Sequence, residues 1–280
     1  MKETAHVFGA DRALFGIVTH PEAANTSRTG VILLNAGQVH HIGPNRIHVG
    51  IARHLAESGF ISVRIDQSGK GESPARSGRS RTEALLQDFD DVEGHMSTLG
   101  IDKYVIFGLC SGADDALTIS HQRPQVIGLA LLDSFVAHTP LRYVDYVMRQ
   151  FLSFDWVKNP PRNVLARLMK RLKRAAVQVD VRDWESPEIM NKYYRDFIDR
   201  DGKVIAIFTH GARYYTKCGQ LARSIGSDRG LDEIYLKHAS HTLCERANRE
   251  SLYTLIPDWL SQKFADGGSG RDGQMSRVHR

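Results

Sequence analysis

Between residues 30 and 133 the chain alternates short, unbroken apolar runs with longer segments in which apolar residues recur every three or four positions. The short runs are Gly30-Val-Ile-Leu-Leu-Asn35, Phe60 to Asp66, Lys103-Tyr-Val-Ile-Phe-Gly108 and Val126-Ile-Gly-Leu-Ala-Leu-Leu-Asp133. Continuous apolarity over such lengths is the pattern of strands covered on both faces. The longer segments, Pro44 to Ser58, Thr82 to Leu99 and Ser111 to His121, have helical spacing. Regular alternation of the two predicts a parallel sheet with helices on both faces.

The flanks of this region read differently. Ala5 to Gly9 and Leu14 to Thr19 are β-like runs around Ala10-Asp11-Arg12-Ala13, which predicts an opening hairpin and an antiparallel edge. Residues 67–80 are rich in Gly, Ser and Arg, as a loop is. From Ser134 to about Asp201 the alternation stops. Aromatic and basic helical material around Tyr143 to Phe151 and Pro161 to Ala176 replaces it, so a helical lid insertion is expected there. Lys203 to Thr209 and Leu231 to Leu236 restore the strand pattern, with a helix between them and a last amphipathic helix from Asn248 to Phe264. Residues 266–280 read as a disordered tail. The expected organisation is one α/β domain over 1–265, with the lid at about 134–201 and no internal repeat.

Composition narrows the function classes. With 280 residues and 41% apolar side chains the chain can bury one large core. Its beginning has no apolar signal region and no stretch approaches membrane-spanning length, so a soluble, cytoplasmic protein with no membrane partner is expected. Cys110, Cys218 and Cys244 are scattered, odd in number and without C-x-x-C spacing, which suggests neither disulfides nor a zinc site. The net charge of +5 favours acidic partners. Its basic residues gather at Arg162, Arg167, Lys170, Arg171, Lys173, Arg174 and Arg182 without interleaved aromatics, so nucleic-acid binding is not expected. That run is either a solvated helix face or a docking surface for an acidic carrier protein. No motif calls for a metal or nucleotide cofactor. Gly69-Lys70-Gly71 lacks the spacing of a phosphate loop.

The chemistry centres on Gly108-Leu109-Cys110-Ser111-Gly112, set between a strand and a helix. Flanking glycines permit a sharp turn that holds the middle residue up at the helix N-terminus, the form of a nucleophile elbow. The positive potential and unpaired N–H groups of that terminus favour an anionic sulfur. Ser111 is one position off centre, so its backbone N–H is the expected first oxyanion donor. The second is expected from the backbone of Gly37 or Gln38, in the loop after Asn35.

From about Ala5 to Phe264 the sequence resembles the α/β-hydrolase superfamily. Asn35-Ala-Gly-Gln-Val-His-His-Ile-Gly-Pro-Asn-Arg46, Asp66-Gln-Ser-Gly-Lys-Gly-Glu-Ser73 and Ser240-His241-Thr242 resemble the oxyanion loop, the D-x-x-G-x-G-x-S turn and the histidine loop of serine-aminopeptidase-like hydrolases. Cys110 departs from that branch, which carries serine, and is similar in this to dienelactone hydrolases and to the aminoacyl transferases that serve carrier proteins. The resemblance implies a nucleophile–acid–histidine order. His241 then occupies the place of the base, with His238 as its rival and His40 and His41 at the mouth. The usual acid position, after Lys203 to Thr209, reads His210-Gly-Ala-Arg-Tyr-Tyr215 and holds no carboxylate. Asp133, at the end of the preceding strand, is the expected acid, unless a cysteine–histidine pair needs none. Asp66 is expected to tie down its own turn, and Asp114 and Asp115 to favour their helix dipole. The expected activity is transfer of an acyl or aminoacyl group between thiols through acyl-Cys110, from a small-molecule substrate that is free or presented on an acidic carrier protein. The alternatives are hydrolysis of carboxylic esters, lactones or thioesters, and non-catalytic ligand binding.

Overall fold

The apolar runs become the middle of an eight-stranded sheet in the order β1-β2-β4-β3-β5-β6-β7-β8. The computed structural model describes residues 1–23, 27–136, 186–212, 214–215 and 218–264. Its strands are β1 (Lys2–Phe8), β2 (Leu14–His20), β3 (Thr29–Leu33), β4 (Ser62–Asp66), β5 (Lys103–Leu109), β6 (Val126–Leu132), β7 (Lys203–Thr209) and β8 (Leu231–Leu236). β1 and β2 form the expected hairpin. β2 is antiparallel to both its neighbours, whereas β4, β3, β5, β6, β7 and β8 run parallel.

Helices cover both faces because each central strand sends alternate side chains to opposite sides. In β5, Tyr104 and Ile106 join one buried cluster while Val105, Phe107 and Leu109 join the other. β6 divides in the same way, Leu129 and Leu131 against Ala130 and Leu132. The first cluster lies under α2 (Arg81–Ser97), α3 (Ser111–Gln122) and α4 (Pro187–Asp199); the second lies under α1 (Ile47–Glu57) and α6 (Arg246–Phe264). A short α5 (Gln220–Ile225) precedes β8. Each fully buried aliphatic or aromatic side chain contributes roughly 1.5–3 kcal/mol, so this double-sided core dominates the stability.

Local signals explain where the helices begin. Ser80 caps α2 through a reciprocal capping box with Glu83, which starts the helix one residue before the apolar periodicity suggests. Ser186 accepts from Ile189 N and Pro187 opens α4. Pro44–Arg46 form a 3-10 turn, so the helix expected from Pro44 starts as an α-helix only at Ile47.

α4 also narrows the expected insertion. Met190, Tyr194, Phe197 and Ile198 are buried in the first cluster, so this helix belongs to the covering layer of the sheet. The segments Tyr143 to Phe151 and Pro161 to Ala176, the basic run and the tail at 266–280 lie outside the described residues. Among the described residues no helix is long and apolar enough to cross a membrane.

Because the central strands are parallel, their C-terminal ends share one edge of the sheet, where ligands of such folds bind. That edge carries Asn35, Asp66, Cys110, Asp133 and Thr209 at or just beyond the ends of β3, β4, β5, β6 and β7.

Candidate active site

Cys110 stands between β5 and α3 with φ 58° and ψ −122°, a backbone that side-chain-bearing residues seldom adopt. Two glycines make the turn possible. A Cβ on Gly108 would collide with the Gly112 carbonyl, and one on Gly112 with the Asn35 carbonyl. Cys110 N–H donates to Leu132 O at 2.9 Å and Ala113 N–H donates to Cys110 O at 2.9 Å, so the bend is tied to both β6 and α3. The sulfur-bearing side chain is half-buried and rests on the cluster beneath it.

His241 and Asp133 come together over this bend from residues 108 positions apart. The imidazole Nδ1 lies 2.7 Å from Asp133 Oδ2, and the sulfur of Cys110 is within hydrogen-bonding reach of the same ring. With Nδ1 committed to the carboxylate, Nε2 is the nitrogen that serves the sulfur. The bond to Asp133, then that to Cys110, outweigh desolvation and push the His241 pKa up to about 10.

The loop after β7 supplies no carboxylate, but it carries the residues that hold one. Thr209 N–H donates to Asp133 Oδ1 at 2.7 Å, the Thr209 hydroxyl to Oδ2 at 2.7 Å, and the Tyr214 hydroxyl to the Asp133 carbonyl at 2.6 Å. Asp133 itself is fully buried at φ 50°. Gly211 backs onto the His241 backbone so closely that a Cβ there would strike it. Thr209, Tyr214 and Gly211 escaped the sequence reading. Gly211, two residues past the strand end, was the one signal of close approach. His238 is exposed, and its carbonyl accepts from Asn248 at 3.1 Å.

On the other side of Cys110, Asp66 does more than tie down its own turn. It accepts from Glu72 N–H at 3.1 Å within that turn, but also from Asn35 Nδ2 at 2.9 Å and from His41 N–H at 2.6 Å, with His41 Nδ1 at 2.9 Å. Burial pushes this carboxyl pKa up, yet the bonds from His41, Glu72 N–H and Asn35 prevail and hold it below the usual carboxylate range. Asn35 in turn accepts Gln67 N–H at 2.6 Å and donates to Val39 O at 2.9 Å, which stiffens the whole loop over the elbow.

Of the expected oxyanion donors, Ser111 and Gly37 are in contact with each other. Gly37 N–H donates to the Ser111 hydroxyl at 3.0 Å, so this N–H does not stand free as expected, while Gln38 is exposed. Asp114 accepts Phe135 N–H at 2.9 Å and Asp115 accepts Gln67 Nε2 at 2.9 Å and pairs with Arg81. Both tether loops to α3 beyond any effect on its dipole.

The sequence profile of the family described as serine aminopeptidase, S33, matches residues 26–212. The chain belongs to this family. Within the region matched to the serine aminopeptidase family lie β5, the bend at Cys110 and α3. Solved structures agree on the fold. A proline iminopeptidase from Mycobacterium smegmatis is 18% identical with a TM-score of 0.57 over 93% of this chain and 98% of its own. A dienelactone hydrolase from Anabaena variabilis is 13% identical, with a TM-score of 0.55 over 92% and 96%. A serine hydrolase without a lid from Xanthomonas campestris is 11% identical, with a TM-score of 0.58 over 96% and 98%. No curated protein matches the chain. As a member of this hydrolase family the chain is a hydrolase-type enzyme with an α/β-hydrolase fold. Among the described residues no group of three or more His, Cys, Asp or Glu is placed to hold a metal ion.

Proposed function

We propose that the protein hydrolyses carboxylic esters, lactones or thioesters through a covalent acyl-Cys110 intermediate. The observation that carries this reading is the elbow sulfur within reach of an imidazole whose other nitrogen is 2.7 Å from a buried carboxylate. In the first half-reaction Cys110 Sγ bonds to the carbonyl carbon and the C=O π pair moves onto oxygen. The pair returns as the bond to the leaving group breaks, and the His241 imidazolium gives its proton to that group. Water then attacks the thioester, its proton passes to His241, and the carboxylic acid departs as the sulfur is released. Asp133 holds the ring in the tautomer that presents Nε2 to the sulfur and stabilises its charged form.

Membership of a hydrolase family puts water ahead of a thiol as acceptor, reversing the order expected from the sequence. Transfer remains the second reading on one ground. An acyl-cysteine is itself a thioester, so exchange with a pantetheine thiol is close to isoenergetic. The carboxylate beside His241 weighs against a merely ligand-binding protein, whose main support was the absence of an acid.

A panel of aryl esters, lactones and acyl-pantetheine thioesters tests the proposal, with intact mass recorded before and after each incubation. An acyl adduct that maps to Cys110 and decays in water to free acid is the expected result, with none in Cys110→Ala. An adduct that persists in water but disappears on adding a thiol would favour transfer. Substrate turnover by Cys110→Ala at the wild-type rate would end the acyl-cysteine reading.

A further inference from the structure

The contact between Gly37 and Ser111 changes what the oxyanion site is made of. A direct Gly37 donor would need its N–H aimed at the carbonyl oxygen of the bound acyl group. Instead the N–H donates to Ser111 Oγ, 3.0 Å away, and is spent on that oxygen. The loop has little freedom to swing the N–H elsewhere. Its turn is closed by Val39 N–H to Ala36 O at 3.0 Å, and Asn35 anchors it to Asp66 at 2.9 Å and to Val39 O.

A hydroxyl that accepts one hydrogen bond still has its own proton to give. Accepting from an amide also polarises it, which makes it the stronger donor. Ser111 is the first residue of α3, where a backbone N–H has no acceptor within the helix. One residue, directly after Cys110, therefore carries both an N–H and an O–H at the positive end of the helix. The space beside Gly37 is open, with nothing within 4 Å of where a Cβ would stand, so an acyl group can approach from that side.

We propose that the Ser111 side chain is itself an oxyanion donor: Gly37 N–H holds Oγ in place, and the hydroxyl proton together with Ser111 N–H receives the developing negative oxygen. The proposal rests on the acyl-Cys110 reading above and deepens it. As Sγ bonds to carbon, the C=O π pair moves onto oxygen and is met by these two donors. Ser111 keeps its proton throughout, and the proton for the leaving group still comes from His241. Gly37 acts through Ser111 and is a positioning residue, while Ser111 touches the reacting oxygen.

The test compares wild type, Ser111→Ala and Ser111→Thr for turnover of an aryl acetate and, separately, for the rate at which iodoacetamide alkylates Cys110. Alkylation at a saturated carbon makes no oxyanion, so it reports the elbow and the sulfur alone. Ser111→Ala is expected to lose roughly 10²–10³-fold in kcat, the usual effect of removing one such donor, with alkylation unchanged. Ser111→Thr, which keeps a hydroxyl, is expected to recover most of the loss. Wild-type or faster turnover by Ser111→Ala would overturn the proposal, since it would mean that Gly37 N–H serves directly once freed. Loss of alkylation and turnover together would also overturn it, by making Ser111 a support of the elbow. A wild type that forms no Cys110 adduct would instead remove the acyl-cysteine reading on which the proposal stands.

Discussion

Asp66 with His41 and Asp133 with His241 each join a fully buried carboxylate to an imidazole Nδ1, at 2.9 Å and 2.7 Å. They stand on either side of Cys110 along the same edge of the sheet. Their surroundings differ. Asp66 spends its oxygens on Asn35, Glu72 N–H and two groups of His41, so its partner ring is one strut among several, 15% exposed and packed on Phe15 and His40. Asp133 is held by Thr209, and its imidazole is 38% exposed, with the Cys110 sulfur within reach of the same ring. The same pair of residue types is thus a brace in one place and, in the proposed reaction, a proton-handling unit in the other. What separates the roles is the neighbour of the ring: His241 lies within reach of the Cys110 sulfur, the proposed nucleophile.

The sharpest way to break this comparison is to exchange each aspartate for its amide. Asp133→Asn is expected to lower kcat by roughly 10³–10⁴-fold, because asparagine favours the wrong imidazole tautomer, and also to lower the urea midpoint, since its new NH2 faces the donors of Thr209 and His241. Equal activity in this variant would remove Asp133 from the chemistry. Asp66→Asn should share the loss of stability without the full loss of turnover. Its new NH2 faces donors, and an unmatched buried group costs about 1–3 kcal/mol, more where a charge partner is lost, so urea unfolding should shift while turnover falls by less than in Asp133→Asn. If the two variants behaved alike, the division into brace and proton handler would be wrong.

Acid sharpens the contrast on the Asp66 side. His48, fully buried at the start of α1 and edge-on to Phe107, has its pKa pushed down to about 3, first by desolvation and then by Arg64. Between about pH 3 and 6.5 the unfolded chain therefore binds a proton that the folded chain refuses, and stability falls as pH drops through this window. Taking one pKa unit as 1.36 kcal/mol, this group alone should cost about 2 kcal/mol at pH 5 relative to pH 7. His48→Leu should flatten that slope in chemical denaturation. Near His241 the sign is opposite. A folded pKa of about 10 against 6.5 unfolded means a stabilising contribution that is fully present below pH 6.5 and lost as pH rises through about 10. The stability gap between wild type and His241→Gln should therefore narrow over that range. It is the smallest of these effects, because the ring is part-exposed and screened.

Much of this site could be read in the linear sequence, and the remainder for physical reasons could not. Cys110 announces itself because the elbow needs glycines at Gly108 and Gly112, where backbone crowding excludes a Cβ. His241 is legible by its place after the last strand. Asp133 is a nomination from strand-end position that nothing local supports, since its partners Thr209, Tyr214 and His241 lie 76, 81 and 108 positions away. Ser111 shows the same limit more sharply. Its identity is plain, but only the structure reveals that its hydroxyl takes the N–H of Gly37, 74 positions away, at 3.0 Å.

The sequence by itself determined the repertoire: which runs become buried strands, which segments become helices, and where Cys110 is forced up on a tight bend. These follow from local periodicity and from sterics between near neighbours, which any stretch of chain carries within itself. Tertiary structure alone decided the partnerships. Which carboxylate meets His241, which aspartate becomes a brace, that α4 packs on the core, and that a hydroxyl takes the Gly37 N–H all depend on strand order and on separations of a few ångströms between distant segments. Hydrogen bonds fail within a fraction of an ångström of their proper length, and no periodicity along the chain encodes so fine a distance.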